Sequence, residues 1–298
     1  MSGMPLTPEM VQAHLEPSVD DAQSKRIPTG VSDFDTIVKG GLPAGSLVLL
    51  LEDVGAGARE YVYTSAAKIA IVSENPHLRK YYLGSSAENG MLPKKICYVS
   101  FTHSKEDILN EVATSFNPQY VESMERITLF KDFSGEYFKR TVVPASWTHA
   151  ENEGPFGGQS GTLLEKLVNF LDENAQDSVV VIDSITDLVE SQEVENANLI
   201  ATVKGLQRAS KRWNGIVYLL LTQGIMESRY QQMLLDSVDG VLNFQWRSYL
   251  NSSKRQRYMF VEKFIGVLPH LDRERIARFP TMITSNQGLT ILYMERIV

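Results

Sequence analysis

Five apolar runs in this chain are continuous rather than alternating: LVLLL at 47–51, ICYVSF at 96–101, ITLF at 127–130, VVVI at 179–182 and IVYLLL at 216–221. A strand with one face in water alternates apolar and polar residues, whereas a strand buried on both faces reads as a solid apolar run. Helical patterns lie between the runs at 59–72, 104–115, 162–174 and 196–213, the last with Leu199, Val203 and Leu206 on one face. Buried strands alternating with helices imply an α/β sandwich around a mostly parallel central sheet flanked by helices. The pattern changes after Asp236. VDGVLNFQW, RYMFVEKFIGV, PTMITS and LTILYM, with the turn signals SYLNSSKRQR and SNQG, read as C-terminal antiparallel β-hairpins.

Residues 1–25 are polar and interrupted by prolines, and read as a flexible N-terminal arm ahead of one domain over 26–298. The Gly/Pro-rich stretch 144–161 reads as a long loop or insertion. The start of the chain has no basic residues followed by an apolar stretch, and the longest apolar run falls far short of the ~20 residues that span a bilayer. A cytoplasmic protein with no membrane partner is expected. Cys97 is the single cysteine and sits in an apolar run, so it reads as a core residue. His14, His77, His103, His149 and His270 have no metal-ligand spacing, and no metal is expected from them.

The net charge of −7 makes nucleic acid an unlikely partner, because phosphate binding needs cationic surface. The charge is uneven, however. Between 245 and 279, Arg247, Lys254, Arg255, Arg257, Lys263, Arg273, Arg275 and Arg278 face only Glu262, Asp272 and Glu274, a local +5 that leaves −12 elsewhere. This positive stretch could meet the acidic remainder of another copy, which makes 245–278 a candidate homo-oligomer contact.

Residues 46–59, SLVLLLEDVGAGAR, run from buried strand through a Gly-rich turn into a helix, the context of a phosphate-binding loop with the pattern G-x-x-x-x-G-K-[ST]. Gly57 takes the second glycine. Glu52 stands at the first glycine, Ala58 at the lysine and Arg59 at the Ser/Thr. The candidate nucleotide-binding loop is therefore Glu52, Asp53, Val54, Gly55, Ala56, Gly57, Ala58 and Arg59, and it is degenerate.

The segment before this loop carries a resemblance. Thr29-Gly30, Phe34-Asp35, Gly40-Gly41-Leu42-Pro43 and Gly45-Ser46, in that order ahead of the loop strand, resemble the opening of the KaiC-like branch of the RecA superfamily of P-loop ATPases, of archaeal type. Further on, VVVIDSITDL resembles the Walker B strand, ending in Asp183, and YLLLTQG resembles the next core strand, with Gln223 at its polar tip. MFVEKFIGV resembles the strand that carries a Lys-x-Arg-Gly element. The resemblance implies a RecA-like P-loop fold, ATP and Mg²⁺ as the family's ligands, and roles for Asp183 near the metal and Lys263 near a neighbour's nucleotide.

The departures from that pattern bear on activity. Ala58 cannot reach a phosphate, and Arg59 cannot ligate a metal. Thr102-His103 stand where the resemblance places the general base, and the next carboxylates, Glu106 and Asp107, lie in the following helix. The trans arginine reads Ile265 in Lys263-Phe264-Ile265-Gly266. No residue stands out as catalytic; the candidates are His103, Asp183 and Lys263, and Asp183 would touch a metal only if Mg²⁺ bound. The expected reading is a non-catalytic regulatory or scaffold protein in signal transduction, with an unidentified regulatory protein partner and no cofactor beyond weakly held ATP/Mg. The alternatives are a nucleotide-binding switch and a weak ATPase. The vacancy left by lysine and metal predicts an ion pair from Arg59 to Asp183 or to Glu52.

Overall fold

The computed structural model describes residues 26–148, 161–248, 254–268 and 278–292. The expected arm at 1–25 and most of the 144–161 loop lie outside these residues, as do Arg273 and Arg275. The strands are β1 (Arg26–Ile27), β2 (Leu42–Pro43), β3 (Ser46–Glu52), β4 (Lys95–Ser100), β5 (Thr128–Asp132), β6 (Ser178–Asp183), β7 (Ile216–Thr222), β8 (Gly240–Ser248), β9 (Arg255–Phe264), β10 (Phe279–Thr284) and β11 (Gly288–Ile291). The helices are α1 (Ser32–Ile37), α2 (Ala58–Glu74), α3 (Arg79–Leu83), α4 (Lys105–Ser115), α5 (Pro118–Ile127), α6 (Ser134–Tyr137), α7 (Leu163–Asn174), α8 (Ile185–Glu190), α9 (Asn196–Trp213) and α10 (Ser228–Asp236).

Among the described residues, β1 and β2 pair with each other and the other nine strands form one sheet in the order β11-β10-β9-β8-β3-β7-β6-β4-β5. The strands from β8 to β5 are mutually parallel, and β9, β10 and β11 continue the sheet as an antiparallel meander. This is the expected α/β architecture with one refinement. The VDGVLNFQW segment forms β8, which pairs antiparallel with β9 but parallel with β3. It therefore closes the parallel sheet as well as opening the hairpins.

The continuous apolar runs are explained by two cores, one on each face of the sheet. Val48, Leu50, Ile96, Tyr98, Val179 and Val181 pack on one side with Tyr61, Ala66 and Ile69 of α2. Leu47, Leu49, Leu51, Cys97, Val99, Val180 and Ile182 pack on the other with Leu167, Leu171, Leu199 and Val203. Because successive strand residues point to opposite faces, each run has to be apolar at every position. Cys97 is buried, as expected.

The sequence pattern passed over α5, although its start carries clear signals. Asn117 caps it by accepting from the Tyr120 N–H, and Pro118 occupies the first turn. Tyr120, Met124 and Ile127 also repeat at helical spacing on one face, so the helix was open to a periodicity reading. No helix among the described residues is long and apolar enough to cross a membrane.

Candidate functional site

The site lies where the parallel strands β3, β4, β6 and β7 end. The turn after β3 is tight. The Ala56 N–H bonds back to Asp53 O at 2.9 Å, and the Asp53 N–H bonds to Phe244 O at 2.9 Å. Gly55 (φ +71°) and Gly57 (φ +121°) take left-handed backbone that favours glycine. A Cβ on Gly57 would also sit 3.3 Å from Leu289 Cδ1.

The loop is tied down by its own chain. Glu52 Oε2 accepts from the Ala58 N–H at 3.2 Å, so a carboxylate sits at the start of α2, where free N–H groups and the helix dipole favour an anion. Burial pushes the Glu52 carboxyl upward, and the Ala58 N–H opposes that shift. Asp53 Oδ2 accepts from the Trp246 N–H at 3.0 Å. The Trp246 indole donates to Val54 O at 3.2 Å, and Arg257 Nε donates to Gly55 O at 3.1 Å. The β8–β9 hairpin thus holds the loop from outside.

Arg59 leaves the first turn of α2 and pairs with Asp183 at the end of β6, Nη2 to Oδ1 at 3.3 Å. Of the two partners expected from charge balance, Asp183 is the one that bonds. Its carboxylate is almost fully buried and also accepts from the Tyr98 hydroxyl at 2.7 Å. Burial works to lower the Arg59 pKa, but Asp183, Tyr63, Tyr98 and Glu111 together more than reverse it, so the guanidinium stays charged. Burial and the nearby Asp183 push both the Tyr63 and Tyr98 hydroxyls upward, which keeps them as neutral donors.

Glu111 of α4 completes the cluster. Its Oε2 accepts from the Tyr63 hydroxyl at 2.6 Å and lies 3.8 Å from Arg59 Nη1, while its Oε1 lies 3.8 Å from His103 Nε2. The sequence reading missed Glu111, Tyr63 and Tyr98. Tyr63 was within reach, because it follows Arg59 by one helical turn and shares its face. Glu111 and Tyr98 meet Arg59 only through tertiary packing, and no local signal marks them.

The remaining sequence candidates are placed as follows. Thr102 Oγ1 lies 3.0 Å from His103 Nδ1, and both follow β4 at the edge of the cluster. Asp107 is committed to the Ser104 capping box of α4, and Glu106 is exposed. The Gln223 side chain is exposed, and its backbone N–H bonds to Glu52 O at 2.8 Å.

Lys263 is not brought to the site. It pairs with Val241, three residues before the Phe244 that pairs with Glu52, which is roughly 10 Å along the strand. Its amine donates to Leu235 O at 3.0 Å and Asp236 O at 2.8 Å, capping the end of α10. Ile265 is 81% exposed in the turn beyond it. Within one chain, Lys263 is a helix-capping residue. No group of three or more His, Cys, Asp or Glu side chains among the described residues could hold a metal ion.

No family model matches the chain, and no curated protein matches it. Among solved structures it is similar to a KaiC-like protein from the hyperthermophilic archaeon Pyrococcus horikoshii, with a TM-score of 0.60 and 17% identity over 91% of this chain and 100% of that one. At that identity the likeness speaks to architecture alone. With its mostly parallel sheet flanked by helices and its C-terminal antiparallel strands, the chain has a RecA-like fold similar to that of this KaiC-like protein.

Proposed function

We propose that this chain is a degenerate KaiC-like ATPase domain of archaeal type that works as a non-catalytic regulatory or scaffold protein in signal transduction. The observation that carries the reading is the Arg59–Asp183 pair. A guanidinium is bonded to the carboxylate that the family resemblance sets beside Mg²⁺. A magnesium–nucleotide does not fit the residues present. Ala58 offers no cation, Arg59 offers no hydroxyl, and Glu52 already accepts the Ala58 N–H. Phosphoryl transfer asks a protein mainly for positive charge and positioning around the γ-phosphate. Here the one cation, Arg59, is shared between Asp183 and Glu111, and Glu52 adds a further carboxylate at the start of α2.

A scaffold role follows from what remains. The sheet, its two cores and the tied loop form a rigid platform, and the C-terminal strands carry unbalanced positive charge. Through 245–278 this chain can contact a second copy or a regulatory protein. The test is steady-state phosphate release by the purified chain against a mock-purified control. The reading expects no difference. Release that exceeds the control and is abolished by Asp183→Asn would mean an active ATPase and would make His103 and Arg59 catalytic candidates.

A further inference from the structure

Beside the tied loop lies a tier of three side chains on one face of the β8–β9 hairpin. Trp246 pairs with Arg257 across the strands, and Arg255 is two residues away on the same side of β9. Both guanidiniums sit over the Trp246 ring, Arg255 at 4.3 Å and Arg257 at 4.5 Å from its centroid. Stacking of this kind holds an arginine in place while leaving its N–H edges free to donate. Among the described residues neither arginine forms an ion pair with a carboxylate, unlike Arg59 and Arg126. The nearest acid of the loop, Asp53, is spent on the Trp246 N–H. At the margin of the tier Val54 is 81% exposed, joined to it through the bond from the Trp246 indole to Val54 O.

We propose that Arg255, Trp246 and Arg257, with Val54 at their edge, form a docking surface for an acidic segment of a partner protein that also carries an apolar side chain. The argument is charge complementarity. Two oriented guanidiniums without carboxylates match a pair of acidic side chains, and Val54 offers the apolar contact between them and the loop. Single-stranded nucleic acid fits less well, because the guanidiniums already cover the indole on which a base would stack. The surface is fastened to the loop by Trp246 and Arg257, so occupancy would be felt at residues 53–55. The proposal does not depend on whether the nucleotide site is catalytic.

The test is fluorescence-polarisation titration of the full chain with a labelled peptide of repeated Glu-Glu-Leu units, beside a labelled oligothymidylate. The expected result is salt-sensitive peptide binding, weakened about tenfold or more by Arg255→Glu and by Val54→Asp and unchanged by Lys204→Gln, an exposed lysine of α9 outside the positive stretch. The loop's bonds from this hairpin come from Trp246 and Arg257 and not from Arg255, so the Arg255 variant leaves the donors of those bonds in place. Absence of peptide binding, equal binding by Arg255→Glu, or tighter binding of oligothymidylate would overturn the proposal. So would light scattering that shows self-association lost in Arg255→Glu, which would assign the surface to a second copy.

Discussion

Arg59 Nη2 lies 3.3 Å from Asp183 Oδ1, so the first turn of α2 is bonded to the end of β6 by an ion pair that Tyr98 supports from below. Replacing Arg59 by alanine leaves the buried Asp183 carboxylate with Tyr98 alone. The Arg59 side chain is 36% exposed, so the roughly 3–5 kcal/mol typical of a fully buried broken pair is discounted to about 1–2 kcal/mol for solvent screening. Urea denaturation of Arg59→Ala should show that loss. A change within experimental error would mean that the pair does not hold the site.

The two loop glycines should respond differently to alanine. Both have positive φ, but a Cβ at Gly55 meets open space, while one at Gly57 approaches Leu289. Gly55→Ala should cost about 1 kcal/mol from backbone strain alone, and Gly57→Ala about 2 kcal/mol or more. Thermal denaturation of the two variants ranks them. Equal costs would contradict the contact between the loop and β11.

Asp35 predicts a pH dependence. It is fully buried, and burial pushes its carboxyl up to about 7, against the bonds from Thr29 and Gly30 that favour the ionised form. A raised carboxyl means that the folded state holds a proton the unfolded state has lost. Its contribution is fully present below about pH 4 and is lost as pH rises through about 7, up to about 4 kcal/mol in all. Lys68 nearby, lowered to about 8 by burial, titrates above this window. In denaturant curves, relative to their values at pH 4, the stability of the wild type should fall below that of Asp35→Asn as pH approaches 7, because only the wild type has a carboxyl to ionise. Curves that stay parallel would show that Asp35 titrates normally.

Particular residues show what was legible before any coordinates. The strands from Leu47 to Leu51 and from Val179 to Ile182 were plain because burial on both faces leaves no polar position. The Arg59–Asp183 pair could be anticipated because charge balance leaves few partners for a buried carboxylate. Glu111 could not be, since it reaches Arg59 from a different helix with no motif around it. Lys263 caps the end of α10 within its own chain, a role that no motif announces, while its expected place near a neighbour's nucleotide concerns a second copy. The hold of Trp246 and Arg257 on the loop arises from β8 pairing with both β3 and β9, which no local pattern encodes.

The central claim is that the loop and Arg59 already fill the nucleotide site from within. The most direct measurement is the thermal stability of the purified chain in millimolar Mg-ATP. Ligand at a hundred times its dissociation constant adds about 2.7 kcal/mol to folding stability. The account predicts a melting temperature unchanged by Mg-ATP. A saturable rise of several degrees, lost in Asp183→Asn, would contradict it.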